Sequence, residues 1–382
     1  MSKIKVAHMI TMLELGGAQE NTLYTCGNLN KNEFDVILIS GPGGILDRKI
    51  GSIKTYFVKE LIREICPLWD TIAFFKIYGI LKKERPGIIH THSSKAGIVG
   101  RWAAYFYKIT STAPGEVKII HTFHGFGFHD FQNFIVKSIF VNVERITAKI
   151  SDVLVAVAHD NITKGLKNGI GRKEQYIVIR SGIKLGDYGK ENDSACVKKG
   201  LGIRDEQTVG MIACFKKQKS PLDFVRTAKY VCDKKPGTKF LLVGDGVLRP
   251  KIESLIRELN LENNVILAGW RSDVPAMLKT FDVFILTSIF EGLPKVVVEA
   301  MASGIPVVAT AVDGTKEIVR DGDTGFLVNP HENQKMAERI LRLLDDAELR
   351  KSFSSRAVKY IQEFDIDLMV RQQEELYIKL LS

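Results

Sequence analysis

Short apolar runs of four to eight residues alternate with stretches of helical period along almost the whole chain. In the first half these runs are 4–11 (IKVAHMIT), 34–40 (FDVILIS), 55–58 (TYFV), 87–92 (GIIHTH), 117–124 (VKIIHTFH), 153–158 (VLVAVA) and 176–182 (YIVIRSG). They are nearly continuous in hydrophobicity, the pattern of parallel strands covered on both faces. Helical segments between them predict βαβ units and a doubly wound sheet. A polar stretch, 184–207, breaks the rhythm. The alternation then restarts at 208–215, 239–246, 264–270, 283–288, 305–312 and 324–328. At 382 residues the chain exceeds one ordinary core. It reads as an α/β protein of two Rossmann-like, doubly wound domains, 1–185 and 205–363, followed by a charged helical end. Open α/β sheets bind ligands at the carboxyl ends of their strands, so a cleft between two such halves is the expected site.

Hydrophobic residues make up 45% of the chain, which suits a globular protein and excludes wholesale disorder. No apolar run approaches the roughly 18 residues that a membrane span requires. The start, MSKIKVAHMITMLELGG, reads as a first strand rather than a signal peptide. Five cysteines, widely spaced and without a CxxC, argue for a reducing cytosol and against a disulfide frame or zinc site. The net charge of +10 is compatible with nucleic acid, an anionic membrane or plain solubility. No nucleic-acid module is visible, so that partner class is set aside. Basic residues mixed with large aromatics, in RWAAYFYK (101–108) and FHDFQNFIVKSIF (128–140), suit the surface of an anionic bilayer. Core helices carrying a few solvated lysines would read the same way. The expected location is cytoplasmic, with the inner face of the plasma membrane as a candidate contact.

The densest chemistry lies between Thr287 and Gly325, TSIFEGLPKVVVEAMASGIPVVATAVDGTKEIVRDGDTG. An apolar strand runs into a loop with Glu291, Gly292 and Leu293. Pro294 is then expected at the first helical position, where its missing amide costs nothing. Free amides and the positive end of the helix dipole make such a helix start a site for a diphosphate. Glu299, eight positions after Glu291, falls inside that helix, where a carboxylate can accept bonds from ribose hydroxyls. Dinucleotide fingerprints are missing: GPGGIL (41–46) and GDGVL (244–248) each lack the third glycine, which argues against a nicotinamide enzyme. Five of the eight histidines fall within 90–129, and HxH at 90–92 puts two rings on one strand face. A metal is not expected here, because no carboxylate or thiolate accompanies them at ligand spacing. These rings are expected at strand ends, lining the cleft.

The 287–325 segment resembles the donor-binding signature of retaining glycosyltransferases of family four, with the two-domain GT-B fold, and the similarity extends from residue 4 to the C-terminus. The resemblance implies sugar transfer from a nucleotide sugar with retained configuration and no metal or other cofactor. The donor is expected to be a UDP-sugar. A glycan acceptor linked to a polyprenyl diphosphate is preferred, in polysaccharide or glycoconjugate synthesis. It also implies that the terminal helix, 364–382, returns to the N-terminal domain. Among single residues, Glu291 would grip the donor sugar, and Lys219 with the helix amides would hold the leaving diphosphate. His124 would support charge developing on the transferred sugar. Gly17, Gly244, Gly246, Arg271, Gly292, Leu293, Pro294 and Glu299 would surround the donor nucleotide. Gln19, His92, Ser93, Lys95 and Phe126 would meet the acceptor. Cys214 stands where the family usually has a phosphate-binding arginine, and a thiol cannot replace a guanidinium fork. A non-catalytic nucleotide-sugar-binding subunit, or an epimerase or phosphorylase of the same architecture, are the competing readings.

Overall fold

The computed structural model describes residues 3–111, 116–128, 132–189 and 194–382. Thirteen strands form among them: Ile4–Met12 (β1), Phe34–Gly41 (β2), Lys54–Phe57 (β3), Ile88–His92 (β4), Lys118–Phe123 (β5), Val153–Ala156 (β6), Tyr176–Val178 (β7), Thr208–Ile212 (β8), Lys239–Val243 (β9), Val265–Gly269 (β10), Val283–Leu286 (β11), Val307–Thr310 (β12) and Gly325–Val328 (β13). Each falls within a few residues of an apolar run read from the sequence. The runs overshoot where they include strand-end loops such as GDG (244–246), where the regular ladder gives way to a single bridge from Gly244 N to Gly269 O at 2.8 Å.

Two compact units result, one of residues up to Gly182 with Ile366–Ser382, the other Ile183–Asp365. Every strand pair is parallel. The first unit carries a seven-stranded sheet, ordered β3-β2-β1-β4-β5-β6-β7. In the second, six strands run β10-β9-β8-β11-β12-β13. Both orders reverse direction once, between β1 and β4 and between β8 and β11. Crossovers on either side of a reversal diverge to opposite faces and leave a crevice at the strands' carboxyl ends. Each unit therefore has a preferred place for a ligand, fixed by topology alone.

The strands are buried because helices cover both faces. Val6, Ala7, Met9, Ile37, Ile39, Ile88 and Ile89 are all 0% exposed, and so are Val209, Leu241, Phe284 and Val308 in the second unit. The last helix, Ile366–Leu381, sets Met369, Val370, Leu376 and Tyr377 against Val6, Phe34, Ile88 and Ile120 of the first sheet. Burying a large apolar side chain contributes about 1.5–3 kcal/mol, so this helix is an integral layer of the first unit.

Candidate active site

In the C-terminal unit, the loops that follow β8 and β11 meet at the reversal point. Thr287 Oγ1 donates to the carbonyls of Lys219 (2.8 Å) and Ser220 (3.0 Å), which ties the first loop to the second. Ser220 has left-handed backbone (φ 43°), rare for a residue with a Cβ. It is held by Asp223, whose buried carboxylate accepts from Ser220 Oγ at 2.7 Å, His331 Nδ1 at 2.7 Å and Asn333 at 3.2 Å. Burial works against ionisation of Asp223, but these hydrogen bonds outweigh it and keep its carboxyl below the ordinary value. Local strain at Ser220 is thus offset by a fixed anion, and Lys219 is aimed as a result.

The Lys219 ammonium contacts Glu291 Oε1. Ser288 Oγ donates to the same oxygen at 2.6 Å, and the Gln218 amide nitrogen lies 3.5 Å from the other. Asp313 Oδ2 accepts from the Glu291 amide at 2.7 Å, and Gly314 N donates to Gly292 O at 3.1 Å. The Glu291 loop is therefore clamped from two sides. Gln218 and Asp313 were not singled out in the sequence. The available signals were adjacency to Lys219 and a non-glycine residue needing positive φ, and only the first is visible in a string of letters.

The helix beyond this loop runs Lys295–Ala302, with Pro294 as its N-cap rather than its first helical residue. Pro294 takes ψ 93°, extended rather than helical, so Lys295 opens the helix. Its first amides, at Lys295 and Val296, lie at the positive end of the dipole. Leu293 and Pro294 are buried, and Glu299 is half-buried on the helix. Gly244 and Gly246 have a structural reason of their own: φ of 125° and 153°, and a Cβ at Gly244 would sit 2.0 Å from Ala213 O. The approach of the 213–215 loop demands these glycines, with or without a ligand. Arg271 is engaged by both oxygens of Asp273, at 2.8 and 2.5 Å.

In the N-terminal unit, Gly17 opens the helix Gly17–Asn28, and Gln19 is half-buried in its first turn. Ser93 has φ 62° and exchanges a 2.7 Å hydrogen bond with Thr11 Oγ1, joining the ends of β1 and β4. Three further candidates have packing or ionic partners within this unit. His92, with His90 and His121, does not line an open surface: the rings are 2%, 0% and 1% exposed, because helices close over both sheet faces. Lys95 pairs with Asp70 at 2.5 Å and with the Glu64 carbonyl, so its charge is committed to its own unit. Phe126 packs between Phe123 and Phe128, with ring centroids 4.6 and 4.8 Å away, as part of an aromatic cluster. His129 lies outside the described residues.

His124 is the histidine of this group that faces outward in part, and it borders a recess with Asn21, His92, Thr122, Ser181 and Gln373. His8, His90 and His92 bring ring nitrogens within 4.8 Å of one another, close enough for a metal. Their nitrogens already face polar partners: His8 meets His92 and Tyr377, His90 meets Tyr377 and Thr122, and His92 meets His8 and His124. A hydrogen-bonded network accounts for the cluster without an ion.

Two Rossmann-type parallel sheets, the second with a carboxylate, a lysine and a helix start at its reversal point, are the architecture of GT-B proteins. Solved structures share this fold along the whole chain. Anabaena HepE in complex with UDP and glucose superposes with a TM-score of 0.85 at 21% identity, covering 98% of this chain and 100% of that one. Sucrose-phosphate synthase from Thermosynechococcus elongatus gives 0.85 at 20% identity, covering 99% of each. Residues 15–185 match the model of Glycosyltransferase Family 4, and 197–360 match that of Glycosyl transferases group 1. An Escherichia coli relative, UDP-Gal:alpha-D-GlcNAc-diphosphoundecaprenol alpha-1,3-galactosyltransferase, is 32% identical over 99% of this chain and 97% of its own length. N-acetyl-alpha-D-glucosaminyl L-malate synthase of Bacillus anthracis is 30% identical over 82% of this chain and 80% of its own. The chain belongs to glycosyltransferase family four and is a glycosyltransferase.

Proposed function

We propose that this protein moves a sugar from a UDP-sugar to a glycan acceptor carried on a polyprenyl diphosphate, in polysaccharide or glycoconjugate synthesis, with retention at the anomeric carbon. The observation that carries the reading is the clamped Lys219–Glu291 pair beside the start of helix Lys295–Ala302. In this scheme Lys219 and the helix amides neutralise the departing diphosphate, which is electrostatic stabilisation of a leaving group. Glu291, released from Lys219, accepts bonds from hydroxyls of the donor sugar, and Glu299 does so for the ribose. Gly244, Gly246, Arg271, Gly292, Leu293 and Pro294 form the surrounding walls. Gly17, at the start of helix Gly17–Asn28, lies beside the donor, Gln19 and Ser93 at the reversal point of the first sheet serve the acceptor, and His124 contacts the transferred sugar and supports its developing charge. Whole-length likeness to a transferase named for a UDP-sugar and a diphosphoundecaprenol acceptor supports both substrate classes.

Anionic membrane contact belongs to the same reading. Helix Phe134–Ala148 exposes Phe134 (82%), Ile135 (67%), Ile139 and Ile146, with Lys137 and Arg145 on the same element. Its acidic residue, Glu144, is turned inward to Arg101. An apolar face framed by cations and cleared of exposed carboxylates fits anionic lipid.

The test is a panel of UDP-, GDP- and ADP-sugars against polyprenyl-diphosphate-linked and soluble acceptors, reading nucleotide release and product mass. Transfer from a UDP-sugar to the lipid-linked acceptor is expected. Cys214 favours a second reading, a subunit that binds nucleotide sugar without turnover, and silence across the panel would select it. Vesicles containing anionic lipid should sediment the protein, and a Phe134→Ser/Ile135→Ser variant should bind about tenfold less tightly. Binding to neutral and anionic vesicles alike would remove the charge argument.

A further inference from the structure

Inside the N-terminal unit, four polar side chains stand in line. The Tyr377 hydroxyl, on helix Ile366–Leu381, lies 3.4 Å from His8 Nε2. His8 Nδ1 is 3.0 Å from His92 Nε2, and His92 Nδ1 is 3.2 Å from His124 Nε2. Tyr377 and His8 are 0% exposed and His92 is 2%. Burial holds His8 neutral, with its pKa down to about 3, and drives His90 and His92 well below the ordinary histidine value. A neutral imidazole carries one N–H, so a ring that accepts at one nitrogen must donate from the other. The three rings therefore share one polarity: reversing any link reverses them all.

The tyrosine end decides which polarity is adopted. Gln373 Nε2 donates to Thr25 Oγ1 at 3.3 Å, which leaves its carbonyl oxygen 3.2 Å from the Tyr377 hydroxyl. That oxygen can only accept. The hydroxyl's other near neighbour is His90 Nδ1 at 2.6 Å, and His90 Nε2 faces Thr122 Oγ1 at 2.7 Å. Given to Gln373 or to His90, the phenolic proton is spent. The oxygen then accepts from His8 Nε2–H, His8 Nδ1 accepts from His92 Nε2–H, and His92 Nδ1 accepts from His124 Nε2–H.

We propose that Tyr377, His8 and His92 are positioning residues, which hold His124 in one orientation as its Nε2–H tautomer. The proposal rests on the role given to His124 above. It moves His92 from acceptor contact to support, and gives the last helix of the chain a part in the chemistry. Which nitrogen of a histidine is protonated is commonly set by the partner of the other nitrogen. Here that partner is relayed through two further rings.

Nitrogen-15 NMR of histidine-labelled protein reads the tautomer directly and needs no substrate. In Tyr377→Phe the acceptor for His8 Nε2–H is gone, so the line should reverse and His124 should appear as the Nδ1–H form. With an active donor–acceptor pair, kcat should fall about a hundredfold, the scale of a positioned proton-handling group. KM for the nucleotide sugar should stay within about twofold. Should Tyr377→Phe fail to fold, His8→Leu removes the next acceptor and predicts the same switch. An unchanged His124 tautomer in the folded variant overturns the proposal. So does stoichiometric zinc in the purified wild type that is lost in His90→Ala, because the rings would then be ligands. A wild type that shows the tautomer switch on mutation yet transfers no sugar would count against the proposed function alone.

Discussion

Two ion pairs, one in each unit, show how the same chemistry is used for different ends. Arg101–Glu144 and Lys219–Glu291 both have a carboxylate side chain only 6% exposed. Their cations differ: the Arg101 side chain is 0% exposed, whereas that of Lys219 is 21%. Arg101 also donates to the Gly97 carbonyl at 2.7 Å and lies over the Phe123 ring. It staples helix Ser94–Ile109 to helix Phe134–Ala148, sealed from solvent. Lys219 has an open side and a single long stem, so it can exchange a carboxylate for a phosphate. The sealed pair builds the unit, while the half-open pair is the one that the proposed scheme divides between donor phosphate and sugar. Polar burial follows the same contrast. The N-terminal unit hides neutral rings in a hydrogen-bonded line, and the C-terminal unit keeps charge at a helix start.

The sharpest way to break this contrast is acid. His8, His90, His92 and His121 are held neutral by burial, with pKa values below the ordinary 6.5. An unfolded chain takes up protons below pH 6.5 that these folded rings refuse. Their contribution is therefore fully present above pH 6.5 and is lost as pH falls toward the folded values, about 3 for His8. The loss is roughly 1.4 kcal/mol per pH unit for each ring in that window. The C-terminal unit has His331 alone, exposed at the surface. The N-terminal unit should unfold first between pH 6.5 and 4, followed through Trp69 and Trp102 in a Trp270→Phe background. Simultaneous loss of both units would refute the contrast. Next in size, Arg101→Met strands Glu144 in the interior and should cost about 3–5 kcal/mol, read as a lower denaturant midpoint. Converting both partners to apolar residues should recover most of that loss, since no charge is left buried.

The exposed-side pair should respond through activity instead. Glu291→Gln keeps the shape of the loop and its Ser288 contact while removing the charge that opposes Lys219. Transfer should fall about 10²–10³-fold, with the melting temperature nearly unchanged. Lys219→Met should behave alike, and the double variant should lose little more than either, because residues acting as a unit are not additive. Additive losses would mean that the two side chains work separately, and the division of the pair between phosphate and sugar would have to be abandoned.

How much of this was legible in the letters depends on how local the cause is. The thirteen strands were readable because a parallel strand covered on both faces needs an unbroken apolar run, as in VILI at 36–39 or VFIL at 283–286. The Glu291 loop and its helix were readable because Gly292, Leu293 and Pro294 are neighbours in the chain. What stayed hidden was set by register and by distant elements. His8 sits opposite His90 only through the β1–β4 pairing, and Tyr377 reaches both from a helix nearly 300 positions beyond His90. Lys95 looked available for phosphate because Asp70, its partner, lies on another helix. Phe126 was placed at the acceptor by resemblance, and its packing between Phe123 and Phe128 depends on a chain turn that the letters do not spell out.

The smallest expected effect concerns the half-open pair's surroundings. Cys214 is a half-exposed free thiol on the loop that carries Lys219, with Lys216 and Lys217 exposed beside it. If those lysines supply diphosphate with the charge that an arginine would bring, adding a guanidinium should gain little. Cys214→Arg should then tighten UDP by about fivefold or less, on the order of 1 kcal/mol, by calorimetry, and Lys216→Ala/Lys217→Ala should weaken it by a similar factor. A gain of a hundredfold in Cys214→Arg would instead show that the loop lacks a cation it needs, and would place this enzyme's donor site among weak binders. The two variants together thus decide whether the thiol is a tolerated replacement within a basic loop or a gap in it.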